Sequence, residues 1–172
     1  MIAYDIQDLT KYYHGQKRPA NNKITLQIYQ GEIFGILGDN GAGKTTLVRQ
    51  MVNLLRPTSG SITLFSQSIT SDPLYIPTNV GYMPQEAHPL NNLTVGEALF
   101  FTAHLRGLSR FDARRERDAL LEQWQMQHLR NKYSSRLSVG ERRMLRLAVA
   151  MTGSLPVLIL DEPTNDLSPQ RR

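Results

Sequence analysis

Apolar and polar residues alternate at the start of the chain: Ile24, Leu26 and Ile28 are separated by Thr25 and Gln27, the period-two pattern of a half-buried strand. Residues 1–30 therefore read as antiparallel β. After a turn at Gln30-Gly31, the run Ile33-Phe34-Gly35-Ile36-Leu37 predicts a further strand. A helix is predicted over residues 45–55, ended by Arg56-Pro57-Thr58-Ser59-Gly60, with short strands following at 61–65 and 80–83. From about residue 90 to 150 the period becomes helical. Thr94 and Glu97 have capping-box spacing ahead of Ala98-Leu99-Phe100-Phe101, and a charged stretch from Asp112 leads into Leu120, Leu121 and Trp124. Finally Val157-Leu158-Ile159-Leu160 is apolar without alternation, which predicts a strand buried on both faces.

Strands mixed with helices in 172 residues fit one α/β domain with a single core. The absence of Cys removes disulfides and thiolate metal sites and suits a reducing compartment. The longest apolar runs fall far short of the ~20 residues that cross a bilayer, and the N-terminus lacks the pattern of a secretory signal. A net charge of +5 raises the question of nucleic acid, and Arg106, Arg110, Arg114, Arg115 and Arg117 cluster. Asp112, Glu116 and Asp118 lie within helical reach of them, so the expectation is an internally paired helix face with no nucleic-acid partner.

The chemistry concentrates where the apolar run 33–37 meets the first helix. Gly38-Asp39-Asn40-Gly41-Ala42-Gly43-Lys44-Thr45 satisfies the pattern G-x-x-x-x-G-K-[ST] in full. Glycines there let backbone N–H groups curl around phosphate oxygens, and the helix points its positive end at the same anion. Lys44 would neutralise the terminal phosphates, and the Thr45 hydroxyl would ligate Mg²⁺. At the far end of the chain the run 157–160 ends in Asp161-Glu162. Asp161 at the strand tip would direct Mg²⁺, and Glu162 could polarise a water in line with the γ-phosphate. Between them stands Leu137-Ser138-Val139-Gly140-Glu141, whose Ser138 and Glu141 have the spacing of an ordinary helix start.

Taken in order, these motifs resemble the ATP-binding cassette family, the nucleotide-binding domains of ABC transporters. Residues 38–46, ending at Thr46, look like its Walker A motif, and Gln85 in Tyr82-Met83-Pro84-Gln85-Glu86 resembles the Q-loop glutamine. Residues 137–141 resemble the signature, 157–162 Walker B, and Asn165 onward the D-loop, while Tyr13 matches the aromatic that stacks on adenine. The resemblance implies a P-loop NTPase: a RecA-like parallel sheet core with an N-terminal antiparallel β subdomain and an inserted α-helical subdomain. It divides the chain into core and β parts at about 1–88 and 155–172, and a helical insert at 89–154 that includes the signature helix.

The same resemblance implies ATP and Mg²⁺ as ligands. Tyr13, Gly38, Asn40, Gly41, Ala42, Gly43, Lys44, Thr45 and Thr46 would hold nucleotide in one subunit, with Ser138, Gly140 and Glu141 completing the site of a second cassette in a head-to-tail dimer. Thr45, Gln85 and Asp161 would serve the metal, and Glu162, Lys44 and Gln85 hydrolysis. A separate transmembrane permease would dock on the surface, placing the chain in the cytoplasm at the inner face of the membrane and powering solute movement, with export favoured. Two alternatives stay open: a soluble cassette ATPase acting on ribosomes or DNA, and a cassette that binds ATP without efficient hydrolysis.

Four departures from the family pattern bear on these roles. Asp39 replaces a frequent Pro, Val139 the first signature Gly, Glu141 the usual Gln, and Ser168 the D-loop Asp. Arg172 precedes the family's switch histidine, and His14, His88, His104 and His128 all lie upstream of Walker B. The resemblance thus implies a cassette without its C-terminal part, with a sheet edge left exposed.

Overall fold

The computed structural model describes residues 1–85 and 90–163 and divides the chain into two compact units, Met1–Ile76 and Pro77–Arg172. The first unit is built on a four-stranded antiparallel sheet in the order β2-β1-β3-β4, comprising β1 (Ile2–Lys11), β2 (Asn21–Tyr29), β3 (Ser59–Leu64) and β4 (Gln67–Ser68). Ile6 stands between Leu26 of β2 and Ile62 of β3, and Tyr4 opposite Leu64. Tyr4, Ile6, Leu9, Ile62 and Leu64 are all buried, as alternation on a one-sided sheet requires. The helix α1 (Lys44–Met51) buries Leu47, Val48 and Met51, and the Tyr4 hydroxyl donates to the Met51 carbonyl at 3.2 Å. That bond ties the end of the helix to β1, and burial pushes the phenol well above its ordinary pKa.

Two expectations fail in this unit. The helix ends at Met51 rather than Leu55. Asn53 adopts a left-handed φ of 57°, its amide side chain donates to the Ile69 carbonyl, and the Leu54 and Leu55 N–H groups both turn back to Arg49 O. An Asn just beyond a helix end is a known stop, but its partner at Ile69 is set by tertiary structure. The run 33–37 is no strand: it pairs with nothing among the described residues, and Ile33 and Leu37 are 104% and 94% exposed. An apolar run becomes a strand only where another backbone meets it.

The second unit contains two parallel strands, β5 (Val80–Met83) and β6 (Val157–Leu160), which pair from Val80–Val157 to Met83–Leu160. Around them lie α3 (Val95–Leu105), α4 (Arg110–Gln123) and α5 (Val139–Met151), with single 3₁₀ turns at Gln127–Leu129 and Ser134–Arg136. A short helix, α2 (Tyr75–Asn79), precedes β5. Val95, Leu99, Leu121, Met126, Leu129 and Leu145 join α3, α4 and α5 in one apolar cluster. Both predicted capping boxes form: Thr94 with Glu97 opens α3, and Ser138 with Glu141 opens α5. The 157–160 strand departs from expectation, since Leu158 and Leu160 are exposed and only the alternate residues are half-buried. Gly81 is required by packing, because a Cβ there would lie 2.1 Å from the Ala150 carbonyl oxygen of α5.

Candidate functional site

In the first unit the glycine-rich loop runs into α1 through three residues of positive φ: Gly38 at 155°, Gly41 at 83° and Gly43 at 91°. Gly43 occupies the N-cap in a left-handed conformation and makes no side-chain cap, so the first N–H groups of α1 face the loop without a capping oxygen. A cap residue would quench the positive end that an anion uses. The glycine is also demanded from beneath, since a Cβ would lie 2.2 Å from the Ala20 carbonyl oxygen. Asn21, next to that carbonyl, donates from Nδ2 to Gly43 O at 3.2 Å and accepts from buried Gln50 Nε2 at 2.7 Å. This Asn21–Gln50 bracket under the loop was absent from the sequence reading, because nothing in the spacing of 21 and 50 marks it.

Lys44 curls back over its own loop, its ammonium donating to Gly38 O at 2.7 Å and Asp39 O at 2.8 Å. The cation therefore sits over the mouth of the loop that the glycines shape. Tyr13 comes to the same place from the end of β1, its hydroxyl 3.2 Å from Thr46 Oγ1, while the Lys11 ammonium lies 5.9 Å from the ring centroid. Tyr13, Gly38, Gly41, Gly43, Lys44, Thr45 and Thr46 are thus brought together within this unit, with Asn40 and Ala42 on the intervening turn. The Ala42 N–H donates to Asp39 O at 3.2 Å. A loop of glycine amides, one ammonium and an uncapped helix start is the donor set of a polyphosphate site.

In the second unit β5 and β6 end side by side, and the Asp161 N–H continues the ladder to Met83 O at 2.9 Å. Asp161 is only 5% exposed. Glu162 follows with a left-handed φ of 51°, an uncommon and strained conformation for a residue with a Cβ. Gln85, two residues beyond β5, donates from Nε2 to Glu162 Oε2 at 2.7 Å. Gln85 and Glu162 are 77 positions apart in sequence and adjacent in space. Among the described residues no group of three His, Cys, Asp or Glu could hold a metal unaided. A buried carboxylate at a strand end instead fits a cation such as Mg²⁺, which takes one or two carboxylates together with phosphate oxygens.

At the start of α5 the Ser138 N–H donates to Glu141 Oε2 at 2.7 Å, and Ser138 Oγ accepts from the Glu141 N–H at 3.3 Å. Lys132 Nζ stands 3.2 Å from the same Glu141 oxygen. The Ser138 hydrogen bonds, followed by Lys132, hold this carboxyl down at about 2. The charge that Glu141 brings is therefore already partnered, and Lys132 is the residue the sequence reading missed. Gly140 lies in the open, where a Cβ would meet nothing within 4 Å, so nothing among the described residues requires its lack of a side chain. Asn165 and Ser168 of the D-loop, and His88, lie outside the described residues.

The basic cluster is paired only in part as expected, through Arg117 and Asp118. Asp112 receives the Ser109 hydroxyl, Glu116 receives the Gly153 N–H, and Asp118 is taken by Arg117 and Arg130. Arg106 spends its charge on the carbonyls of Val149, Ala150 and Thr152. Capping and a tertiary bond claimed the carboxylates of Asp112 and Glu116 first. Among the described residues no carboxylate pairs with Arg110, Arg114 or Arg115, and Arg115 packs against the Phe111 ring instead.

A mixed α/β fold with a glycine-rich loop opening an uncapped helix, and a strand ending in buried Asp161, defines a P-loop nucleotide-binding domain. The ABC transporter family model matches residues 21–165, and the chain belongs to that family, as an ATP-binding cassette. It is 36% identical over 167 residues to human ATP-binding cassette sub-family A member 2 and to human retinal-specific phospholipid-transporting ATPase ABCA4. Each match covers 97% of this chain and 7% of the relative, so the chain spans a small part of the curated relatives it matches. The solved structure of cbiO1 from Clostridium perfringens, described as part of the ABC transporter complex cbiONQ, superposes with a TM-score of 0.80 at 28% identity. That likeness covers 98% of this chain and 68% of cbiO1. No helix among the described residues is long and apolar enough to cross a membrane.

Proposed function

We propose that this cassette binds MgATP and hydrolyses it to ADP and phosphate, driving solute movement, export in the favoured reading, through a separate transmembrane subunit. The observation that carries the proposal is the Lys44 ammonium held over the glycine loop at 2.7 and 2.8 Å from two loop carbonyls, above a helix start without a capping side chain. Carbonyl oxygens hold the ammonium where phosphate oxygens would take it, and the bare amides supply the remaining donors. Residues 38–46 would grip the phosphates, with Tyr13 against the base. Thr45, Gln85 and Asp161 would serve Mg²⁺, which neutralises charge between the terminal phosphates when bound.

Glu162 is assigned as general base. Gln85 donates to one of its oxygens, so the carboxylate is oriented by a neutral amide, and a carboxylate held in this way can accept a proton from water. Such a base supplies ~10² to 10⁴ in rate, about 3 to 5 kcal/mol of barrier. The helical segment 89–154 would present Ser138, Gly140 and Glu141 to the nucleotide of a second cassette in a head-to-tail pair, on the cytoplasmic side of the membrane. Support for pairing is the open approach to Gly140 together with the neutralisation of Glu141 by Lys132.

The test is calorimetric titration of the folded chain with MgATP, followed by turnover of Glu162→Gln. Saturable binding with turnover reduced by ~10²-fold or more in the variant is expected. A folded protein that ignores MgATP sinks the nucleotide reading, and wild-type turnover in Glu162→Gln removes the base.

A further inference from the structure

We infer that Arg146 of the signature helix is a positioning residue for the hydrolytic site, fixing the backbone at Gln85 so that its amide meets Glu162; the inference rests on the roles proposed above for those two residues. Arg146 Nη1 donates to the Gln85 carbonyl oxygen at 2.6 Å, and Gln85 Nε2 donates to Glu162 Oε2 at 2.7 Å. Two consecutive hydrogen bonds therefore join α5 to the acid through one residue, and the first is charge-assisted.

The need for such a tie is visible in the chain. The β5 ladder with β6 ends at Met83, and the next residue, Pro84, has no N–H to extend it. Gln85 thus lies beyond the reach of the sheet. Among the described residues its carbonyl is held by a guanidinium from a helix 61 residues on. The helix itself is well placed: Ala150, one turn after Arg146 on the same face of α5, packs so closely on Gly81 that no Cβ fits between them. Arg106 closes the other end of α5 through its last carbonyls. A shift of the signature helix would accordingly pull on the Gln85 carbonyl and move the amide that orients Glu162.

Two measurements test this, one of them independent of turnover. Amide exchange at Asp161, whose N–H bonds Met83 O beside Gln85, should quicken ~10-fold in Arg146→Ala and return close to wild type in Arg146→Lys, which retains a donor. Exchange within α3 should not change. Unaltered exchange at Asp161, or acceleration throughout the second unit, overturns the inference. In turnover, Arg146→Ala should lower kcat ~10-fold while MgATP affinity stays within about twofold, and Gln85→Ala with Arg146→Ala should be no slower than Gln85→Ala alone. Losses that multiply in the double variant would show Arg146 acting elsewhere and overturn the inference. Wild-type turnover in Glu162→Gln refutes the base assignment instead, and the exchange result still decides the role of Arg146.

Discussion

Lys132 places its ammonium 3.2 Å from Glu141, so the one acidic residue of the signature stretch is countered from within the same unit. Glu141 also accepts the Ser138 N–H, and its carboxyl sits at about 2 against an ordinary value of 4.5. A carboxylate whose folded pKa is depressed adds stability that is fully present above the unfolded value and is lost as pH falls through the folded one. The difference in melting temperature between wild type and Glu141→Gln should therefore be flat above pH 4.5 and shrink steadily toward pH 2. A difference that grows on acidification would contradict this arrangement.

Gly43 is the position where the loop tolerates least. Alanine there meets the Ala20 carbonyl at 2.2 Å and must hold a φ of 91°, a conformation costing a residue with a Cβ about 1 to 3 kcal/mol before the clash is counted. Gly43→Ala should lose at least that in urea denaturation and lose measurable MgATP binding with it. Gly41→Ala, where a Cβ meets nothing within 4 Å, should suffer the conformational cost alone. Equal losses at the two positions would show that contact with Ala20 does not shape the loop.

What could be read in the sequence is what depends on neighbours a few residues away. The alternation around Ile24, Leu26 and Ile28, the two capping boxes and the glycine pattern before Lys44 are all local, and each is present in the fold. What could not be read depends on partners far along the chain. Residues 33–37 have the composition of a strand but no described backbone beside them. Arg114 and Arg115 have Asp118 and Asp112 at helical spacing, yet those acids are drawn to Arg117 and Ser109. Asn21–Gln50, Lys132–Glu141 and Arg146–Gln85 each couple two unremarkable positions, and those couplings are what tune the site.

Lys44→Ala separates phosphate binding from fold. Among the described residues Lys44 is bonded to carbonyls of its own exposed loop, so its loss should leave the melting temperature nearly unchanged. Affinity for MgATP should fall at least ~10-fold by calorimetry, equivalent to about 1.4 kcal/mol. Retention of wild-type affinity would remove Lys44 from the site.

Arg106 gives the opposite profile, structural effect without contact to nucleotide. Its guanidinium lies at the end of α3 and donates to Val149 O at 3.1 Å and Ala150 O at 3.3 Å, with Thr152 O as a third acceptor, where α5 has run out of its own donors. A cation there also meets the negative end of the helix. Burial lowers the guanidinium pKa from its ordinary value, so the charge is held against a desolvation cost by these carbonyls. Arg106→Met keeps most of the aliphatic stem and strands the acceptors, which should cost about 1 to 3 kcal/mol in urea denaturation. Because α5 carries Arg146 as well as Ser138, the same variant should quicken exchange at the Asp161 amide while leaving MgATP affinity near wild type. Full stability in Arg106→Met would mean that the α5 carbonyls find water as readily as they find the guanidinium, and the clamp on the signature helix would have to lie elsewhere.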